Sequence, residues 1–132
     1  MIYLDANFFI FAVLDTTKKG ESARNLQRTI ANGEEKACTS VLTIDEVMWV
    51  LLRNGKKEFL RKIIKEIYAL PNVEIHGMSS LTPLRGLEFM EKYSLKPRDA
   101  LHVATMIELG IQKIVSDDGD FDKVKDITRI PL

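Results

Sequence analysis

Four places in this chain put an acid where a strand gives way to a helix, or where a helix begins. They are Asp5 in Tyr3-Leu4-Asp5-Ala6-Asn7, Glu46 in Thr43-Ile44-Asp45-Glu46, Asp99 in Lys96-Pro97-Arg98-Asp99, and the run Asp117-Asp118-Gly119-Asp120. Each has an ordinary explanation when taken alone. Asp5 or Asn7 can cap a helix. Thr43 and Glu46 have the spacing of a capping box. Asp99 suits the positive end of a helix dipole, and Ser116 to Asp120 reads as a polar turn. None of these roles requires the acids to meet. Convergence has a different chemistry, because carboxylates a few ångströms apart repel and some stay protonated unless a cation neutralises them. Carboxylate and water oxygens are the ligands that Mg²⁺ and Mn²⁺ prefer. Such an ion activates water and stabilises charge on a phosphoryl oxygen. An acidic set without a cysteine or histidine partner therefore points to metal-assisted phosphodiester hydrolysis.

Whether the acids converge depends on the elements that carry them. Ile2-Tyr3-Leu4 reads as a short buried strand, followed by an apolar helix from Asn7 to Leu14. Asp15 to Gly20 is polar and ends in glycine, hence a loop, and Glu21 to Ala31 has helical spacing closed by Asn32-Gly33. Ala37 to Ser40 is a second strand. The helix from Val41 to Leu52 is apolar almost all the way round, a pattern normally enclosed on several sides. From Lys57 to Leu70 the pattern is two-faced, with Phe59, Leu60, Ile63, Ile64 and Ile67 inward. Val73 to His76 is a third strand. Ser79-Ser80 caps a helix running to Tyr93, and Pro97 opens another that Gly110 stops. Lys113 to Ser116 is a fourth strand, Phe121 to Val124 one helical turn, and Thr128 to Ile130 a final edge strand. Strands alternating with helices argue for an α/β fold with a parallel sheet. In such a sheet the carboxyl ends of the strands form the binding edge, and all four acidic places fall there.

The bulk numbers narrow the class. With 132 residues and 45% hydrophobic content, the chain suits one domain, residues 1–132, with a sizeable core. Nineteen basic residues against nineteen acidic ones give no support to a broad nucleic-acid groove. The single cysteine, Cys38, has no partner for an internal disulfide and reads as a small apolar strand residue in a reducing compartment. There is no basic leader before the first apolar residues and no run of membrane-spanning length. The expectation is a cytoplasmic protein without a membrane partner.

Taken in order, Tyr3-Leu4-Asp5-Ala6-Asn7, Thr39 to Val47 around Glu46, Lys96 to Ala104 around Asp99, and Val115 to Phe121 around Asp118 resemble the PIN-domain nucleases. The small VapC-toxin-like type is the most similar, and the resemblance covers essentially the whole chain. It implies a three-layer α/β/α PIN-like fold with a central, mostly parallel sheet of four or five strands. It implies a Mg²⁺- or Mn²⁺-dependent endoribonuclease, with one or two ions, acting as the toxin of a VapBC-type pair. Asp5, Glu46, Asp99 and Asp118 match the family's metal-holding acids. Asn7 and Ser116 match residues that support them, with Asp117 and Asp120 as neighbouring or alternative ligands. RNA substrate, an antitoxin protein and a homodimer are the implied partners.

Other residues carry less. Arg98, Lys18 and Lys19 are candidates for RNA phosphates, against the ordinary reading of solvated charges. His102, three positions after Asp99 on the same side of a helix, is read as packing beside the site, since the acid set is complete without it. The apolar runs Phe8 to Leu14 and Phe59 to Ile67 are candidate dimer surfaces or simply core. Two alternatives stand beside the nuclease reading: a non-catalytic binding module that works through a protein partner, and a DNA-directed metal-dependent nuclease.

Overall fold

The structure, a computed structural model, describes residues 1–132. Its centre is β1 (Ile2–Leu4), three residues that are almost wholly buried. Around it lie β2 (Ala37–Ser40), β3 (Val73–His76), β4 (Lys113–Val115) and β5 (Thr128–Ile130), in the order β3-β2-β1-β4-β5. Every neighbouring pair is parallel, with Tyr3 opposite Cys38 on one side and Ile114 on the other. The sheet therefore has five strands and one carboxyl edge.

Alternation along these strands sorts the side chains into two layers. Ile2, Leu4, Ala37 and Val115 pack with α1 (Ala6–Leu14), α2 (Lys18–Ala31), α3 (Val41–Arg53) and α4 (Leu60–Tyr68). Tyr3, Cys38 and Ile114 pack on the opposite side, with Ala100, Val103 and Met106 of α6 (Pro97–Glu108) and with Phe121. Phe89 and Met90 of α5 (Thr82–Tyr93) close over that second cluster. This is the three-layer arrangement expected from the sequence. Each large apolar side chain so enclosed contributes about 1.5–3 kcal/mol relative to exposure.

The structure corrects the sequence reading in three places. Helix α2 begins at Lys18, inside the expected loop, because the Asp15 carboxylate accepts from the backbone N–H of Thr17 (2.6 Å) and of Gly20 (3.3 Å). Gly20 is required there, since a Cβ would stand 2.0 Å from the Asp15 carbonyl oxygen. Phe59 is exposed rather than inward, because Lys57–Phe59 form a separate 3₁₀ turn ahead of α4. Helix α3 is not enclosed: Ile44, Val47 and Leu51 are buried, while Met48, Trp49 and Leu52 face solvent. Of the two runs read as dimer surface or core, Phe8, Phe9, Ile63 and Ile67 are core, while Val13 and Phe59 are exposed, and further exposed apolar groups lie on α3 and at Leu81, Leu84 and Leu87. No helix is long and apolar enough to cross a membrane.

Candidate functional site

Because the sheet is parallel, the carboxyl ends of β1, β2 and β4 and the amino ends of α1, α3 and α6 share one edge. Asp5 follows β1 and is 6% exposed. Its Oδ1 accepts from the Ala6 N–H at 2.8 Å, so it does cap α1. Its Oδ2 accepts from the Ser116 hydroxyl at 2.6 Å and from the Asn7 amide at 3.2 Å. Asn7 also donates to Ser116 Oγ at 3.1 Å, and the Asp118 N–H donates to that same oxygen at 3.0 Å. Capping and convergence are thus both true of Asp5, one oxygen serving each.

Glu46 lies in the second turn of α3. The helix starts earlier than a capping box at Thr43 would require, with Ser40 as its first flanking residue. Freed from that duty, Glu46 Oε1 lies 2.6 Å from Nε2 of His102. Nε2 is also 3.7 Å from Asp5 Oδ1. The other ring nitrogen, Nδ1, is 2.8 Å from the Tyr3 hydroxyl, which donates to Ser40 Oγ at 2.7 Å. The ligand atoms of Asp5, Glu46 and His102 all lie within 4.8 Å of one another.

A second group consists of Asp99, Asp118 and Asp120, whose carboxylate oxygens also come within 4.8 Å of one another. Asp99 sits in the first turn of α6. Asp118 accepts from the Asp120 N–H at 2.9 Å and so starts the 3₁₀ turn Gly119–Lys123. Asp120 pairs with Lys123 at 3.1 Å. Asp117 belongs to neither group. Its carboxylate takes the Leu132 N–H at 2.9 Å and the Lys19 ammonium.

The electrostatics follow from burial and crowding. Burial pushes the Asp99 carboxyl up to about 6, and the charges on Asp118, Asp5 and Asp120 add to the rise against the opposing pull of His102. Burial likewise raises Asp5, although His102, Ser116 and the Ala6 N–H work against it. For His102, burial acts to lower the imidazole, but the Glu46 hydrogen bond and the charges of Asp5, Glu46 and Asp99 outweigh it and the net shift is upward. Asp117 moves the other way: burial raises it, and Lys19 and the Leu132 N–H more than compensate, so it stays below the usual carboxylate range. The edge therefore concentrates negative charge that the protein only partly neutralises.

Residues 2–127 match the family described as the PIN domain. The chain belongs to the PIN-domain family. No curated protein sequence matches this PIN domain, but solved structures do. VapBC2 from Rickettsia felis, bound to a DNA fragment of its promoter, has TM-score 0.75 and 19% identity over 99% of this chain and 98% of that one. VapC20 of Mycobacterium tuberculosis, a toxin described as cleaving the sarcin–ricin loop, has TM-score 0.75 and 19% identity over 92% and 93%. A toxin–antitoxin complex from Klebsiella pneumoniae has TM-score 0.69 and 18% identity over 97% and 96%. At such identities the likeness is one of fold.

In this PIN domain the structure brings Asp5, Glu46, Asp99, Asp118 and Asp120 to one edge, with Asn7 and Ser116 hydrogen-bonded behind Asp5. It leaves Asp117 outside. Of the basic candidates, Lys19 is paired with Asp117, and Arg98 is 4.0 Å from Asp45 on an exposed surface. Lys18 is exposed. Sequence reasoning undervalued His102 and passed over Tyr3. The available signals were the three-residue spacing from Asp99 and a phenol in a strand buried on both faces, where its hydroxyl must find a partner.

Proposed function

We propose that this PIN domain, residues 1–132 acting as one unit, is a divalent-metal-dependent endoribonuclease and the toxin of a toxin–antitoxin pair. The observation that carries this reading is the pair of acidic groups at one sheet edge, Asp5 with Glu46 and Asp99 with Asp118 and Asp120, with Asp99 pushed up to about 6 by burial and by its acidic neighbours. Such a carboxyl is most easily ionised when a cation sits beside it. The donors are carboxylate oxygens with no thiolate among them, which fits a hard ion such as Mg²⁺ or Mn²⁺. Asp5 and Asp99 would hold it chiefly, with Glu46 and Asp118 directly or through water. When bound, the ion supplies charge neutralisation at the attacked phosphate and lowers the pKa of water.

The protein's own residues supply the placement. Ser116 and Asn7 fix the Asp5 carboxylate, and the Ser116 hydroxyl also takes the Asp118 N–H, so the ends of β1 and β4 are tied at one oxygen. The similar structures of a toxin–antitoxin complex and of VapBC2 support an antitoxin protein as partner, and the exposed apolar groups of α3 and α5 leave room for it or for a second copy. The test is cleavage of labelled single-stranded and structured RNA with Mn²⁺, Mg²⁺ or EDTA, beside Asp99→Asn and a DNA competitor. Metal-dependent RNA cleavage that Asp99→Asn lowers by about 10³-fold is expected. Cleavage that survives both EDTA and Asp99→Asn would sink the metal mechanism, and preference for the DNA would reassign the substrate.

A further inference from the structure

His102 is 1% exposed, yet both of its ring nitrogens are engaged. A residue needed only to fill space at that position would be leucine or methionine, which brings no buried polar atoms to satisfy. Instead Ser40, Tyr3, His102 and Glu46 form one hydrogen-bonded chain, with links of 2.7, 2.8 and 2.6 Å. It passes from the end of β2 through β1 and α6 to α3. The order matters: three members are wholly buried, and only the last, Glu46, is partly open to solvent.

We infer that His102 is a positioning residue, locked by Tyr3 and Ser40, that holds the Glu46 carboxylate in place for the cation. This rests on the metal-dependent reading above. The chemistry of the bond separates positioning from direct ligation. A carboxylate can only accept, so Nε2 carries its hydrogen toward Glu46 Oε1. A nitrogen carrying hydrogen has no lone pair to give a cation, and Nδ1 is occupied by Tyr3. The proximity of His102 to Asp5 and Glu46 therefore reflects a clamp behind the ligands. Glu46 is a flexible side chain, and without the clamp each binding event would have to order it. With Oε1 held, Oε2 has no protein hydrogen-bond partner and is left for the ion. An outer partner of this kind is worth about 10–100-fold in metal affinity or activity.

The experiment uses the full chain and two readouts: Mn²⁺ binding by calorimetry in the absence of RNA, and kcat and KM for RNA cleavage. His102→Leu removes the donor. It should weaken Mn²⁺ binding by about 10–100-fold and lower kcat in proportion, with KM for RNA unchanged. His102→Gln restores an N–H donor at similar reach and should recover most of both. Tyr3→Phe frees the ring at its far end and should cost about threefold to tenfold in Mn²⁺ affinity. It also keeps the test open if His102→Leu fails to fold by circular dichroism. Wild-type Mn²⁺ binding in folded His102→Leu, or in Tyr3→Phe when that leucine variant does not fold, overturns the clamp and leaves a packing role. His102→Gln no better than His102→Leu also overturns it, in favour of direct ligation. If the wild-type chain binds Mn²⁺ but cleaves no RNA, the nuclease reading fails while the ranking of affinities still decides the role of His102.

Discussion

The two halves of the acidic edge are built on different physics. Asp5 and Glu46 form a satisfied half: each accepts defined hydrogen bonds, and the imidazole edge of His102 stands against both. Asp99, Asp118 and Asp120 form a half-exposed group in which carboxylates face one another, and the one lysine in contact, Lys123, touches Asp120 from the outside. The first half carries part of its counter-charge in the fold. In the second, Lys123 pairs with Asp120 alone, and Asp99 is raised by its acidic neighbours as well as by burial. Demand for an external cation should therefore be greatest on the Asp99 side.

The largest expected effect concerns that demand. At free Mn²⁺ about 100 times its dissociation constant, the fold should gain about 2.7 kcal/mol. Asp99→Asn should abolish most of this gain, and Glu46→Gln only part of it, as read by thermal melts at fixed metal. Equal losses would erase the distinction between the halves.

The next effect separates them without metal. Asp5 caps α1 and accepts from Ser116 and Asn7, so Asp5→Ala leaves donors unpaired and should cost about 2 kcal/mol in urea unfolding. Asp99→Ala removes a repelled carboxyl and should cost nothing or stabilise. Should Asp99→Ala prove the more damaging of the two, Asp99 would belong with the satisfied half.

The smallest effect is a pH slope. Asp99 is raised from its ordinary value to about 6 in the fold. Below both values the carboxyl is protonated whether the chain is folded or not, and its contribution to the fold is fully present. As pH rises toward 6 the unfolded chain has already released the proton, so the contribution is lost. Asp99→Asn is neutral throughout and loses nothing. In metal-free buffer its stability relative to the parent should rise by about 1 kcal/mol from about pH 4 to about pH 7, solvent screening reducing the full value. A flat difference across that range would show that neither burial nor crowding raises Asp99.

The legibility of this chain in its sequence follows the range of the interaction concerned. Many of the strands and helices are readable because their signals are local: Pro97 opens α6, and three consecutive apolar residues mark β1. The start of α2 is hidden because the carboxylate that takes its first N–H groups, Asp15, lies outside the helix and acts across a turn. The exposed side of α3 was unreadable, since Met48, Trp49 and Leu52 look like core residues in any window of sequence. Convergence of the acids followed from the parallel topology. The choice among Asp117, Asp118 and Asp120 did not, because it depends on Lys19, 98 positions away, claiming Asp117. His102 was undervalued for the same reason: its hydroxyl partner, Tyr3, is 99 positions distant. Spacing along an element is written locally, whereas partner choice across the fold is not.

The central place of β1 bears on how the protein is made. The strand leaves the ribosome before one of its two neighbours, β4, which spans Lys113–Val115. Asp118 and Asp120 come later still, after β4. A nascent chain stalled before residue 113 has β2 and β3 to pair with β1, but one flank of the innermost strand is bare and the acidic edge is half missing. Synthesis therefore yields no truncated product with an assembled edge. The edge is completed in a single late event, when the segment from β4 to β5 docks against the exposed flank of β1.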